Sequence, residues 1–153
     1  GAKLAVDDVC DLYAFWGDKL ARTIAPAGSN TTIVNLASVE YAKAVLPHLA
    51  GDATAVTCLF GEGIRNGKPI QRSTASKKAR GSMVRWMAEN ELEDASGLTA
   101  FNIGYRHIPE LSDENTLVFM NAQAQSARRF QPPPVTPPSH RPLQSRSSSH
   151  LGR

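Results

Sequence analysis

The first apolar pattern along the chain has the period of an α-helix. Between Asp7 and Ile24 the large apolar side chains recur every three or four residues and form one stripe. Pro26 and Gly28 then end the periodic segment. The pattern predicts a helix over 7–24 that packs against a core, with Trp16 inside it. The stripe consists of Val9, Leu12, Tyr13, Trp16, Leu20 and Ile24.

A strand and a short helix are predicted next. Residues 31–37 form a short run rich in β-branched side chains, which is typical of a strand. Ser38 is suited to cap the following helix, and Glu40 adds negative charge where the helix dipole favours it. We expect a helix over Val39 to Leu46, which Pro47 ends.

The middle of the chain predicts a hairpin followed by a longer helix. Residues 55–61 read as a strand, and the Asn66-Gly67 dipeptide is a strong signal for a tight hairpin turn. A return strand is expected over Lys68 to Ser73, with a helix from near Ser76. One face of that helix is apolar and should pack in the core together with Trp86. This face consists of Ala79, Met83, Trp86 and Met87.

The last third predicts a helical turn over Leu98 to Phe101, a loop through Gly104 and Pro109, and a final strand over Thr116 to Met120. Helices and strands therefore interleave along the chain. This order predicts an α/β (mixed α+β) fold, with helices packed on a mixed sheet.

The formal net charge of +3 is unevenly distributed. Residues 126–153 contain five arginines and no acidic residue, whereas residues 1–125 carry 12 basic and 14 acidic side chains, a net charge of −2. Six of the ten prolines also lie in 126–153. Because such a segment has little apolar surface to bury, it is predicted to be a disordered Pro/Ser/Arg-rich tail behind a domain over 1–125.

Composition excludes several classes of protein. Hydrophobic residues make up 41% of the chain, and no apolar run is long enough to cross a bilayer, so a membrane protein is not expected. No secretory signal is visible at the start, which favours a cytoplasmic location. The two cysteines, Cys10 in the first predicted helix and Cys58, are interpreted as structural thiols.

The helix predicted near Ser76 carries its charges against the helix dipole. Lys77, Lys78 and Arg80 fall in its first turn or so and Arg85 lies further on, whereas its far end is acidic. Backbone dipoles favour anions at a helix start, so this arrangement is typical of a site that binds phosphate. The acidic residues are Glu89, Glu91, Glu93 and Asp94.

Two further features bear on that site. Hydroxyl groups of Ser73, Thr74 and Ser76 would add hydrogen-bond donors to it. The alternative is an ordinary solvated surface, on which Lys77 pairs with Glu62 or Glu40.

No pattern predicts a catalytic residue, a metal site or a cofactor. The four histidines lack zinc-ligand spacing, and Gly61-Glu62-Gly63 lacks the third glycine of a dinucleotide-binding loop. Neither a phosphate-binding P-loop nor a serine-hydrolase motif is present.

Four segments of the chain form a specific set in order and spacing. They are DLYAFWGDKL (Asp11 to Leu20), NLASVEYAKAV (Asn35 to Val45), KKARGSMVRWMAEN (Lys77 to Asn90) and GY…L…TLVF (Gly104 to Phe119). Together they resemble the C-terminal half of the peroxide stress protein YaaA family. The resemblance implies a partial domain that lacks its N-terminal half. It further implies a cytoplasmic bacterial protein that limits iron-dependent damage by peroxide and binds DNA through a helix-hairpin-helix-like element. No catalytic reaction comes with it.

Three functional hypotheses follow from the residues and the resemblance. In the first, the intact protein binds duplex DNA through phosphate contacts from Lys77, Lys78, Arg80 and Arg85. In the second, the protein is an enzyme or a binding protein for a small phosphorylated or nucleotide-like ligand in the same cleft. Its polar residues would then be Asn35, Ser38, Glu40 and Tyr41. Iron binding ranks last, and the sequence leaves the oligomeric state open.

Overall fold

The computed structural model describes residues 3–6 and 9–123. The tail predicted over 126–153 lies outside these residues. The helices are α1 (Leu12–Ile24), α2 (Val39–Val45) and α3 (Ser73–Glu89). Short 3-10 turns follow at Leu46–His48, Ala95–Ala100 and Pro109–Leu111. The strands are β1 (Lys3–Val6), β2 (Val9–Asp11), β3 (Thr32–Asn35), β4 (Thr54–Gly61), β5 (Ile64–Arg65), β6 (Lys68–Pro69), β7 (Tyr105–His107) and β8 (Thr116–Asn121).

A four-stranded mixed sheet forms the centre of the fold, in the order β3-β4-β8-β7. Strands β3, β4 and β8 are parallel neighbours, and β7 runs antiparallel to β8. Two small antiparallel pairs, β1-β2 and β5-β6, lie outside this sheet. The predicted mixed α/β class is therefore confirmed.

The sealed core lies between the sheet and α3. Alternate residues of β4 point to this side, and Phe60 stacks on Phe119 of the neighbouring strand with ring centroids 5.4 Å apart. Phe101 meets both rings edge-on. Met83 brings the predicted apolar face of α3 into the same cluster, and Trp86 packs against its edge.

Helix α1 starts later than the sequence predicted. Its N-cap is Asp11, whose carboxylate accepts a hydrogen bond from the amide of Ala14 at 3.0 Å. The cap ends the preceding strand, so residues 9–11 are extended and the backbone of Cys10 lies in β2, outside the helix where it was predicted. The predicted end at Ile24 is confirmed.

The expectation that Trp16 is buried in a core is wrong. Its side chain is 49% exposed, and Leu12, Leu20 and Ile24 on the same stripe are also exposed. Helix α1 buries Gly17 and Ala21 and packs chiefly against α2. The stripe has the spacing of a buried face, but nothing in the described residues covers it.

The hairpin turn is confirmed, but it joins the short strands β5 and β6, whereas the strand predicted over 55–61 pairs with β3 and β8 in the central sheet. The return strand β6 is shorter than predicted. Asn66 and Gly67 both adopt positive φ, as the turn requires. Pairing continues past β6 through bonds of Ile70 with Gly63 and Glu62, and α3 then begins at Ser73, three residues before its predicted start. The strands β1, β2 and β7 were not predicted at all.

Candidate anion-binding site

The candidate site lies where two parallel strands end. Strand β3 ends at Asn35 and leads into α2, while β4 ends at Gly61 and leads through the hairpin into α3. In sheets with parallel strands, ligands bind in the crevice beyond the carboxyl ends. The starts of α2 and α3 therefore flank the place where this fold is expected to hold a ligand.

A groove of about 610 Å³ lies between the starts of these two helices. We call it the cationic groove. It brings together Ser38, Glu40 and Tyr41 with Lys77 and Arg80, which are all residues that the sequence suggested for a site. The complete lining is Leu36, Ser38, Val39, Glu40, Tyr41, Gln71, Ser73, Ser76, Lys77 and Arg80.

The basic residues lie one turn further into α3 than predicted. Because the helix begins at Ser73, its first turn contains hydroxyl residues, and Lys77, Lys78 and Arg80 belong to the second turn. The first turn carries no acidic side chain, and the first amides of a helix have no carbonyl partner within it. Unpaired amides and cations therefore lie about one helical turn apart along the groove.

The four predicted phosphate ligands divide into two pairs. Lys77 and Arg80 line the cationic groove, whereas Lys78 and Arg85 line a second groove beside Gly81, Ser82 and Ile103. Consecutive helical residues differ by about 100° in direction, and residues seven apart share a face. The helix thus presents two basic rows to its surroundings.

Asn35 does not line the cationic groove. It is buried, its side-chain amide donates to the Thr57 hydroxyl at 3.1 Å, and its side-chain oxygen accepts from the amide of Ala37 at 3.1 Å. These bonds tie β3 to β4 and shape the turn that leads to α2. The structure therefore places Asn35 beneath the site.

Ser76 is committed to the fold. Its hydroxyl donates to the carbonyl of Phe60 at 3.1 Å and is buried, so it does not provide the ligand-binding donor suggested for it from the sequence. This bond fixes the start of α3 to the end of β4. A long bond of 3.5 Å from the Arg80 guanidinium to the carbonyl of Ala37 joins α3 to the turn before α2.

The cations of α3 are not neutralised by carboxylates. Within residues 3–6 and 9–123 the one ion pair joins Asp18 and Arg22 on α1, away from α3. The alternative pairing of Lys77 with Glu40 or Glu62 is therefore not formed. In the described part of the chain, no carboxylate lies within ion-pair distance of either basic row of α3.

A polar cluster that the sequence did not reveal surrounds Glu62. Its carboxylate accepts hydrogen bonds from the Tyr105 hydroxyl and from the side-chain amide of Asn121, the latter at 2.8 Å. Burial, followed by the bond to Glu62 and its charge, raises the pKa of Tyr105. These residues are 43 and 59 positions apart from Glu62 in sequence, so no local pattern could join them.

Neither Cys58 nor the contact between Ser112 and His107 is arranged for nucleophilic chemistry. Burial raises the pKa of Cys58 to about 12, so its thiol stays protonated at neutral pH. Ser112 donates its hydroxyl proton to the carbonyl of Ile108 at 2.8 Å, so it cannot also donate to His107, whose ring nitrogen lies 3.0 Å away. Both groups serve the fold.

The described residues contain neither a candidate metal cluster nor a candidate membrane-spanning helix. No group of three or more His, Cys, Asp or Glu side chains is placed to hold a metal ion among them. None of their helices combines the length and the apolarity needed to cross a membrane.

Comparison with known proteins gives a consistent result. A family model described as peroxide stress protein YaaA matches residues 1–111. A UPF0246 protein of Desulfitobacterium hafniense (strain Y51) is 42% identical over 125 residues, which cover 81% of this chain and 49% of that protein. A UPF0246 protein of Limosilactobacillus reuteri (strain DSM 20016) is 42% identical over 120 residues, which cover 78% of this chain and 47% of that protein.

The chain spans about half the length of these curated relatives. The family match nevertheless covers most of the chain itself, including α1, α2 and α3 with the cationic groove. The chain belongs to the peroxide stress protein YaaA family.

Proposed function

We propose that this protein acts in the cytoplasmic response to peroxide stress, and that the intact protein binds duplex DNA through phosphate contacts made by α3. Binding of this kind would place the protein where iron-dependent oxidation damages DNA. We further propose that the protein limits this damage. Membership of the peroxide stress family supports the physiological part. The charge of α3 supports the molecular part.

The observation that carries the proposal is the unpaired charge of α3. Between Ser73 and Ala88 the helix has four cations and no carboxylate, and none of the four forms an ion pair in the described part of the chain. A cation outside any ion pair exchanges mobile counterions for DNA phosphates without first giving up a carboxylate partner. The residues are Lys77, Lys78, Arg80 and Arg85.

The spacing of the cations suits a phosphate backbone. Lys78 and Arg85 share one face of α3 and are seven residues apart, which is about 10 Å along a helix. That length corresponds to about three phosphate steps along the axis of one DNA strand. Lys77 and Arg80 form the other row, beside the helix start.

The salt dependence of DNA binding tests this proposal. In the intact protein, Lys77→Ala combined with Lys78→Ala removes one cation from each row. We expect weaker binding to duplex DNA and a salt slope, log K against log salt concentration, that is smaller by about 2. Arg65→Ala combined with Lys68→Ala is the matched control, because it removes the same charge from exposed positions on the hairpin. An unchanged slope in the α3 variant would contradict the proposal.

A small phosphorylated or nucleotide-like ligand is the second candidate, and the composition of the cationic groove favours it. Ser38, Glu40 and Tyr41 lie in the same groove as Lys77 and Arg80, at the carboxyl ends of parallel strands. Polar groups that converge on a concave site of this size are typical of small-molecule binding. Nucleotides that displace DNA from the wild-type protein, but not from a Glu40→Gln variant, would favour this candidate.

A further inference from the structure

A second concave surface lies between α1 and α2. We call it the aromatic groove, and its volume is about 340 Å³. The rings of Tyr13, Trp16 and Tyr41 form much of its wall, and those of Tyr13 and Tyr41 meet edge-on with centroids 5.9 Å apart. The complete lining is Leu12, Tyr13, Trp16, Gly17, Leu20, Tyr41, Ala44 and Val45.

Two of the rings are open to solvent. Tyr41 is 59% exposed and Trp16 is 49% exposed, although large aromatic side chains gain much free energy from burial. Lys19 lies beside this surface with its ammonium nitrogen 3.3 Å above the ring of Phe15 and 5.3 Å from that of Trp16. The aromatic groove therefore has flat apolar walls and a positive charge at its edge.

The aromatic groove adjoins the cationic groove. Tyr41 lines both of them, so one ligand can contact its ring and reach toward Lys77 and Arg80. A ligand that fits both surfaces needs a flat ring and an anionic group held a short distance apart. A nucleotide has this composition, because its sugar joins a base to a phosphate.

We propose that the aromatic groove takes an unpaired base of a DNA strand whose phosphate lies in the cationic groove against Lys77 and Arg80. The inference rests on the proposed function and deepens it. Bases within a perfect duplex are stacked on one another, so the groove would select DNA with an unpaired or extruded base. Exposed aromatic rings bind such bases by stacking, with little dependence on their identity.

The test separates the base from the phosphate. Binding of a thymidine decamer is compared with binding of an abasic sugar-phosphate decamer of the same length and charge, by anisotropy of labelled strands. The wild-type protein should bind the thymidine strand about 5- to 150-fold more tightly. Tyr41→Ala should remove most of this preference and leave the affinity for the abasic strand unchanged.

Three further variants control the interpretation. Tyr41→Phe keeps the ring and should keep the preference, whereas a purely structural effect of Tyr41→Ala would weaken both strands equally. Val84→Ala alters another exposed apolar residue, on α3, which lines neither groove, and should bind both strands like the wild type. In a Trp86→Phe background, Trp16 is the one remaining tryptophan, and its emission should change with the thymidine strand alone.

Each outcome decides between the two proposals. Equal affinity of the wild type for the two strands, or equal loss for both with Tyr41→Ala, overturns the base site and leaves phosphate binding in place. Failure to bind either strand overturns the base site, whereas the proposed binding of duplex DNA is decided separately by the salt slope of the Lys77→Ala, Lys78→Ala variant. Within duplexes, Tyr41→Ala should weaken binding only where the duplex carries an unpaired thymine. Equal weakening for the perfect duplex would also contradict the base site.

Discussion

The two faces of the central sheet are covered by helices in different ways. On the α3 side, Phe60, Phe101 and Phe119 are at most 1% exposed and form one aromatic cluster. On the α1–α2 side, α2 buries no residue, and the apolar stripe of α1 is about half exposed. Both layers have apolar residues at helical spacing, so the difference shows that periodicity indicates the direction of a face but not whether that face is covered.

The largest expected difference in stability is between a substitution on the buried α3 side of the sheet and one on the exposed α1–α2 side. Phe101→Ala removes a ring that contacts Phe60, Trp86 and Phe119, and it should lower the free energy of unfolding by about 3–5 kcal/mol. Leu20→Ala, on the stripe of α1, should cost about 1 kcal/mol or less because the side chain is 44% exposed.

Urea unfolding of the two variants measures this difference. If Phe101→Ala does not fold, Phe101→Leu preserves the comparison at a smaller cost. Similar losses for Phe101 and Leu20 would mean that the α1–α2 side is as well packed in solution as the α3 side.

A pair of glycine variants tests the close contact of α1 with α2 at Gly17. A methyl group added at Gly17 would collide with the backbone carbonyl oxygen of Ala44, so α1 packs against α2 only with glycine there. Gly17→Ala should destabilise the protein by about 1–3 kcal/mol, because the two helices must separate. Gly81→Ala, in open space on α3, should stabilise it by up to about 1 kcal/mol through helix propensity.

Thermal unfolding of the two glycine variants provides the measurement. The melting temperature should fall for Gly17→Ala and rise for Gly81→Ala. Opposite signs are the specific expectation, since both changes add the same methyl group to a helix. A rise for Gly17→Ala would show that α1 and α2 are not in close contact.

The smallest expected effect on stability reports whether water reaches the buried α3 side of the sheet in the native state. Burial raises the pKa of Cys58 from 9.0 to about 12, so between these values the unfolded thiol ionises while the native thiol stays protonated. The unfolded state then binds fewer protons, and stability falls as pH rises. This contribution is fully present below pH 9. From pH 8 to pH 10 the wild type should lose about 1.4 kcal/mol more than Cys58→Ala.

Urea unfolding at the two pH values gives this difference directly. Tyr105, whose pKa is also raised, is present in both proteins, so its contribution cancels in the comparison. An equal loss in the two proteins would mean that water reaches Cys58 in the native state.

Much of the secondary structure was predictable because its signals are local. The β-branched run before Ser38, the Asn66-Gly67 turn and the apolar face of α3 each correspond to an observed element. The strand β7 was missed because three residues after a glycine carry little pattern, and it exists through pairing with β8. The start of α1 was misplaced because Val9 fits the helical spacing although Asp11 caps the helix.

The candidate site was predictable in part. The sequence proposed Ser38, Glu40 and Tyr41 as one group and the cations of α3 as another, and the structure brings Lys77 and Arg80 to the first group. It could not show that Lys78 and Arg85 line a different groove, because that division follows from the start and orientation of α3. Nor could it show that Asn35 is buried beneath the groove.

Residue type and short-range order were enough to predict the family, the mixed fold class and the excess of basic residues on α3. The tertiary structure alone decided which faces are covered and which distant residues meet. Glu62 finds Tyr105 and Asn121, and Tyr41 joins the aromatic groove to the cationic groove, only when the parallel strands bring their carboxyl ends and the following helices together. Such contacts depend on packing over tens of residues, and local periodicity carries no information about them.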